Sequence, residues 1–181
     1  MDRSSRRLDP VLARWPALAL AACAVMLGTA HAFETFGHLP PCAMCLTQRE
    51  AYWLAGGLAA LLLVAQRKAP ALVRPGLWLL AALFAVELGV AVFHAGLEWK
   101  WWEMGSCGNK GVLGELLHIP RPRMKAADLM AMLDGGGHAV RCDAALWRLP
   151  NAPWGLSMAG WNAMVALALT LLSILAARRV R

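Results

Sequence analysis

The sequence predicts an all-α membrane protein, a bundle of four transmembrane helices with one long outer loop between helices 3 and 4. Three observations carry that prediction. Apolar residues make up 59% of the 181 positions and the mean hydropathy is +0.50, too apolar for a soluble domain of this size. The apolar residues gather in four runs long enough to span a bilayer. Basic residues flank those runs on one side: Arg3, Arg6, Arg7 and Arg14, then Arg67, Lys68 and Arg74, then Arg178, Arg179 and Arg181. That is the distribution left by the positive-inside rule. The formal charge of +7 therefore reports topology, and with no single basic patch it argues against nucleic acid as a partner.

The first span covers 15–33, enough to cross a hydrocarbon core of about 30 Å. Its basic leader and Ala30-His31-Ala32 also resemble a secretory signal with a small-residue cleavage site. The run reaches spanning length, so retention is the preferred reading, and under either reading the chain emerges outside. A short outer link, 34–45, contains Pro40-Pro41, which fix φ and delay the next helix until close to Cys45. The second span covers 46–65 and ends at Gln66-Arg67-Lys68 and Pro70. Arg74-Pro75-Gly76 then lead into the third, 77–97, with Glu87 in its interior and His94 near its outer end. The loop 98–155 opens on Trp99, Trp101 and Trp102, an interfacial aromatic cluster. Within it, 112–119 and 125–133 are short helical candidates, and Gly135-Gly136-Gly137 is a break. The fourth span, 156–177, stops at Arg178-Arg179. The whole chain, 1–181, reads as one membrane domain with both termini cytoplasmic and no internal repeat. Small residues (Gly56, Gly57, Gly89, Ala159, Gly160) permit close helix packing.

Five cysteines carry the chemistry. Cys23 falls inside the first span and reads as a buried apolar thiol. The other four lie on the side away from the arginines, which in a bacterial inner membrane is the oxidising, periplasmic side. Cys42-Ala43-Met44-Cys45 opens the second helix. A thiolate there is stabilised by unpaired amide N–H groups and by the helix dipole. Leu46 after the second cysteine excludes C-x-x-C-H haem attachment. A structural disulfide or half of a metal site are the plainer alternatives, and a redox pair is favoured. Arg49 lies four residues after Cys45, on the same face. A cation in the first turn opposes the dipole. Either its side chain reaches to lipid phosphates, or its charge holds the Cys45 thiolate and a reduced acceptor nearby; the second is preferred. Cys107 and Cys142 either staple the loop or relay electrons by thiol–disulfide exchange from a soluble partner to the pair at the membrane. Both fit the spacing. His94 reads most simply as an interfacial histidine. Glu87 reads as a paired interior acid, although ionisable groups at such depth carry a functional presumption.

Four spans, a C-x-x-C with Arg49 four residues later opening the second helix, and two cysteines in the outer loop between helices 3 and 4 together resemble the disulfide bond formation protein B (DsbB) family. The segments His94-Ala95-Gly96-Leu97-Glu98-Trp99 and Gly155-Leu156-Ser157-Met158-Ala159-Gly160-Trp161-Asn162-Ala163 look like one subgroup of it. The resemblance covers about Trp15 to Ala177. It implies a thiol oxidase of the inner membrane that reoxidises a periplasmic DsbA-like, thioredoxin-fold oxidase and passes the electrons to ubiquinone or menaquinone. It further implies that Cys42 and Cys45 are the quinone-linked pair, with Cys45 nearest the ring. Cys107 would form the mixed disulfide with the partner, Cys142 would be its redox mate, and a Cys42–Cys107 bridge would be the transient intermediate. Arg49 matches the family arginine beside the quinone. His94 falls near the family histidine at the outer end of helix 3, within a different neighbouring sequence. The loop from Cys107 to Cys142 is longer than in the best-known members. Two rivals use the same residue types. A vitamin K epoxide reductase-like enzyme carries its C-x-x-C on a late helix, whereas here it precedes the second. A metal-binding or sensing protein would use the four outer cysteines and a histidine as ligands.

Overall fold

The computed structural model describes residue 12 and residues 14–102, 142–145, 147–149 and 155–180. Among them stand four long helices: α1 (Trp15–Thr35), α2 (Ala43–Lys68), α3 (Val73–Glu98) and α4 (Met158–Arg179). A 3-10 turn, Pro70–Leu72, joins α2 to α3. Arg148–Leu149 (β1) pairs antiparallel with Leu156–Ser157 (β2), Arg148 opposite Ser157 and Leu149 opposite Leu156. Cys107 and the expected short helices at 112–119 and 125–133 lie outside the described residues.

Among the described residues, three segments are long and apolar enough to cross a membrane: Trp15–Thr35, Pro70–Glu98 and Met158–Arg179. Helix α2 is as long as α3, but Gln48, Arg49 and Glu50 near its start and Gln66, Arg67 and Lys68 at its end dilute its apolar middle. Two boundaries differ from the sequence expectation. Helix α2 begins at Ala43, not near Cys45: Pro40-Pro41 hold the chain extended only as far as Cys42 (φ −76°, ψ 170°), whose sulfur then caps the helix. Helix α4 begins two residues later than expected, because Leu156 and Ser157 are taken up by β2. Ser157 Oγ then accepts the Gly160 N–H at 3.2 Å, an ordinary N-cap.

Neighbouring helices pack in chain order, α1 on α2, α2 on α3 and α3 on α4. The core takes Trp15, Ala19 and Cys23 from α1, Tyr52, Ala59 and Leu62 from α2, Leu80 and Phe84 from α3, and Leu169 and Ala176 from α4. At Gly56 an added Cβ would come 3.3 Å from the Cys23 Cβ, the close approach that small residues allow between membrane helices. Large apolar side chains such as Trp53, Leu61, Val86 and Leu171 point outward. In water so much exposed apolar surface is costly; against lipid it is not.

Polar groups inside the bundle are few and tied across helices. Trp15 Nε1 donates to Ser173 Oγ at 2.9 Å, joining the first helix to the last. Tyr52 O–H donates to Asn162 Oδ1 at 2.6 Å, and Asn162 Nδ2 donates to Glu87 Oε1 at 2.6 Å. Glu87 is thus the paired interior acid that the sequence suggested, linked through one amide to both neighbouring helices. Replacing that amide removes both bonds and leaves two buried polar groups unsatisfied, at about 1–3 kcal/mol for each. Asn162→Ala is therefore expected to lower the denaturant midpoint of the detergent-solubilised protein by an amount equivalent to about 2 kcal/mol or more. An unchanged unfolding curve would show that the helices do not depend on this link.

Candidate functional site

The site is built where α2 begins. Cys42 is its N-cap: extended backbone brings the sulfur back over the first turn, and the Cys45 N–H donates to Cys42 Sγ at 3.2 Å. The same geometry puts the two sulfurs 2.8 Å apart, with neither in a disulfide. Cys42 is buried and Cys45 only half-buried, so Cys45 is the more accessible of the two.

Helix α3 supplies the wall. His94, only 4% exposed, is not an interfacial side chain: its Nε2 lies 3.6 Å from Cys42 Sγ. Its Nδ1 lies 3.3 Å from Gln48 Nε2, and the ring also hydrogen-bonds the backbone of Cys142. One turn on, Glu98 Oε1 lies 3.8 Å from His94 Nε2. The Glu98 carboxylate accepts from the Ser157 hydroxyl, with Arg148 nearby, while its Oε2 has no hydrogen-bond partner among the described residues.

Residues 142–145 and 147–149 close the site. Cys142 is disulfide-bonded and is buried in one cluster with Cys42, Ala43 and Leu97, against which Met44 and Cys45 pack. Three contacts pin this segment: Lys100 Nζ to Asp143 Oδ2 at 2.5 Å, the Arg148 guanidinium over the Trp99 ring, and Trp147 against Phe33 of α1. The fold therefore brings Cys42, Cys45, His94 and Cys142 together, from positions 100 residues apart in the chain. Arg49 is engaged differently. Its Nη1 pairs with Glu34 Oε2 at 2.5 Å and its Nη2 donates to Ala30 O at 3.2 Å, anchoring α2 to the end of α1. Its charge still acts on Cys45. Sequence reading passed over Gln48, Glu98 and Ser157. The i, i+4 spacing of His94 and Glu98 was a usable signal; the Ser157 contact spans two helices and left none.

The two sulfurs are electrostatically unequal. Hydrogen bonding from Cys42 holds the Cys45 thiol below the ordinary range; the backbone and Arg49 act in the same direction, against burial and the Glu98 charge. Cys42 is pushed up, first as the donor to Cys45 and then by burial. Of the two sulfurs, Cys45 is thus the more acidic and Cys42 the less.

The family model described as "Disulfide bond formation protein DsbB" matches residues 13–176. A relative named "Disulfide bond formation protein B", from Polaromonas sp. (strain JS666 / ATCC BAA-500), is 27% identical over 172 residues, which is 95% of this chain and 94% of the relative. No solved structure matches significantly.

Because the thiolate is the reactive form, a lowered Cys45 pKa keeps Cys45 reactive at pH values where an ordinary thiol, near 8.5, is protonated. Its alkylation rate should fall only as pH drops through that lowered value. In the reduced protein, iodoacetamide is expected to label Cys45 before Cys42, as read by peptide mass spectrometry. Arg49→Ala should move the Cys45 rate profile toward higher pH. Earlier labelling of Cys42 would contradict the assigned polarity.

Proposed function

The chain belongs to the disulfide bond formation protein DsbB family, and from that premise we propose that it is a thiol:quinone oxidoreductase that reoxidises a periplasmic DsbA-like dithiol oxidase. Membership makes it a multi-pass membrane protein and a disulfide-forming oxidoreductase. The finer reading is one membrane domain of four spans in the bacterial inner membrane, α1 retained, both termini cytoplasmic and the redox cysteines periplasmic. Retention of α1 is supported by its share of the core and by the Trp15–Ser173 bond.

One observation carries the proposal above the others: a disulfide-bonded cysteine, Cys142, shares a buried cluster with the Cys42–Cys45 dithiol. Thiol–disulfide exchange needs such contact. In the proposed route a thiolate of the reduced partner attacks Cys107 of a Cys107–Cys142 disulfide, releasing the Cys142 thiolate. The partner's second thiolate breaks that mixed disulfide and leaves Cys107 and Cys142 reduced. Cys107 then attacks Cys42 of an oxidised Cys42–Cys45 pair and expels the Cys45 thiolate. Attack by Cys142 on Cys107 regenerates the loop disulfide and leaves two electrons on Cys42 and Cys45.

Ubiquinone or menaquinone, when bound, supplies a two-electron, two-proton acceptor. The residues present suit such a group: Cys45 stands half-exposed at the bundle rim as a thiolate donor, with the Arg49 cation one turn below it. Arg49 and His94 would hold it, the first opposing negative charge and the second offering a ring N–H. The rival reading as a vitamin K epoxide reductase-like enzyme does not account for a C-x-x-C at the opening of α2.

The test mixes detergent-solubilised protein with a reduced thioredoxin-fold oxidase and a quinone, and follows quinone absorbance. Cys45→Ser is expected to abolish quinone reduction, whereas the unaltered chain turns over. Full activity in that variant would refute the assignment.

A further inference from the structure

Beyond electron transfer, the same corner has the donor set of a metal site. One ligand atom each from Cys42, Cys45 and His94 lies within 4.8 Å of the others, two of the three residues are buried, and a carboxylate stands behind them. We propose that the reduced Cys42–Cys45 pair, with His94, binds a zinc-like divalent cation.

Tetrahedral zinc with Zn–S near 2.3 Å and Zn–N near 2.0–2.1 Å requires a sulfur-to-nitrogen edge of about 3.6 Å, and Cys42 Sγ stands 3.6 Å from His94 Nε2. The sulfurs, 2.8 Å apart, must open to about 3.8 Å, a change within reach of side-chain rotation. The fourth position of the tetrahedron is open to water, with the Glu98 carboxylate behind His94, Oε1 3.8 Å from Nε2. The supporting contacts also suit a ligated pair. The Cys45 N–H already points at Cys42 Sγ. Gln48 faces His94 Nδ1; rotating its amide presents the carbonyl oxygen, so that Nδ1–H donates and Nε2 keeps its lone pair for the cation.

Binding forms two metal–sulfur bonds and releases the remaining thiol protons to solvent; nothing is oxidised. It holds the pair in its reduced state, out of reach of an acceptor, and so makes the cation a reversible brake on the site. The disulfide form offers no thiolates and does not bind.

The test uses full-length protein in detergent, carrying Cys107→Ser and Cys142→Ser and reduced with a phosphine. Cobalt(II) is titrated in as a spectroscopic probe. One equivalent is expected, with thiolate-to-cobalt charge-transfer bands and the visible bands of a tetrahedral ion, all abolished by zinc. Oxidised protein should give none, and His94→Ala should bind at least tenfold more weakly. If the double variant does not fold, the wild-type reduced chain gives the same reading as one equivalent lost in His94→Ala. Absence of cobalt uptake by the reduced chain, or uptake undiminished by His94→Ala, overturns the proposal. Quinone reduction by chelator-treated protein is measured separately, so that loss of the oxidase reading and loss of the metal site are told apart.

Discussion

Much of the site follows from one short contact, the Cys45 N–H donated to the sulfur of Cys42. The first N–H groups of any helix lack intrahelical acceptors, and where the helix start is buried, as at Cys42, the protein itself must satisfy them. Serine or aspartate usually fills that need. Here a cysteine does, and with it come three properties of the site. The second sulfur is drawn to within 2.8 Å of the first. Cys45 falls in the first turn, where amide dipoles favour negative charge. Cys42 is turned inward, toward α3 and Cys142.

Around that cap the bundle works as a frame. Helix α3 ends just past the site, so His94 and Glu98, one turn apart, form its inner wall. The chain then reverses at Trp99 to Trp102, where Trp102 donates to Phe93 O at 3.0 Å and stacks on the Phe93 ring. An added Cβ at Gly96 would run into that indole, so glycine is the residue that permits the reversal. The small β1–β2 pair at the start of α4 brings Arg148 over Trp99 and Ser157 to Glu98. Polar ties of this kind sit at the end of the bundle that holds the two cysteines. Deeper in the bundle, contact is mostly apolar, with the Tyr52–Asn162–Glu87 link and the Trp15–Ser173 bond as the cross-helix exceptions among the described residues.

The helices were legible because each is a long apolar run bounded by charge or proline, a local property that burial does not override. Their starts were less so. Proline at 40 and 41 marked a boundary, but the sequence does not say that a cysteine sulfur would cap the helix and let it begin at Ala43. Nor does alternation reveal a two-residue strand at Leu156–Ser157 that shortens α4. At the site, Cys42 and Cys45 declare themselves by spacing alone. His94 does not, because a histidine at the end of a span reads the same whether it meets lipid headgroups or a thiol; only packing of α3 against α2 decides. Arg49 shows the converse. Its relation to Cys45 was readable from the helical repeat, while its ion pair with Glu34 depends on how α1 and α2 dock.

The inequality of the two sulfurs gives the proposed route its direction. In thiol–disulfide exchange the sulfur with the lower pKa leaves faster, and here that sulfur is Cys45. An incoming thiolate therefore gains by attacking Cys42, the member turned toward the protein and toward Cys142. Attack at Cys45 would have to expel Cys42, which is raised and buried, and would approach from the rim. Electrons arriving with the loop thus enter at the protected sulfur and emerge as negative charge on the half-exposed one. A symmetrical pair, equally buried and equally acidic, would offer an incoming thiolate either sulfur alike. The N-cap removes that symmetry, because only one of two cysteines in a C-x-x-C can be the cap.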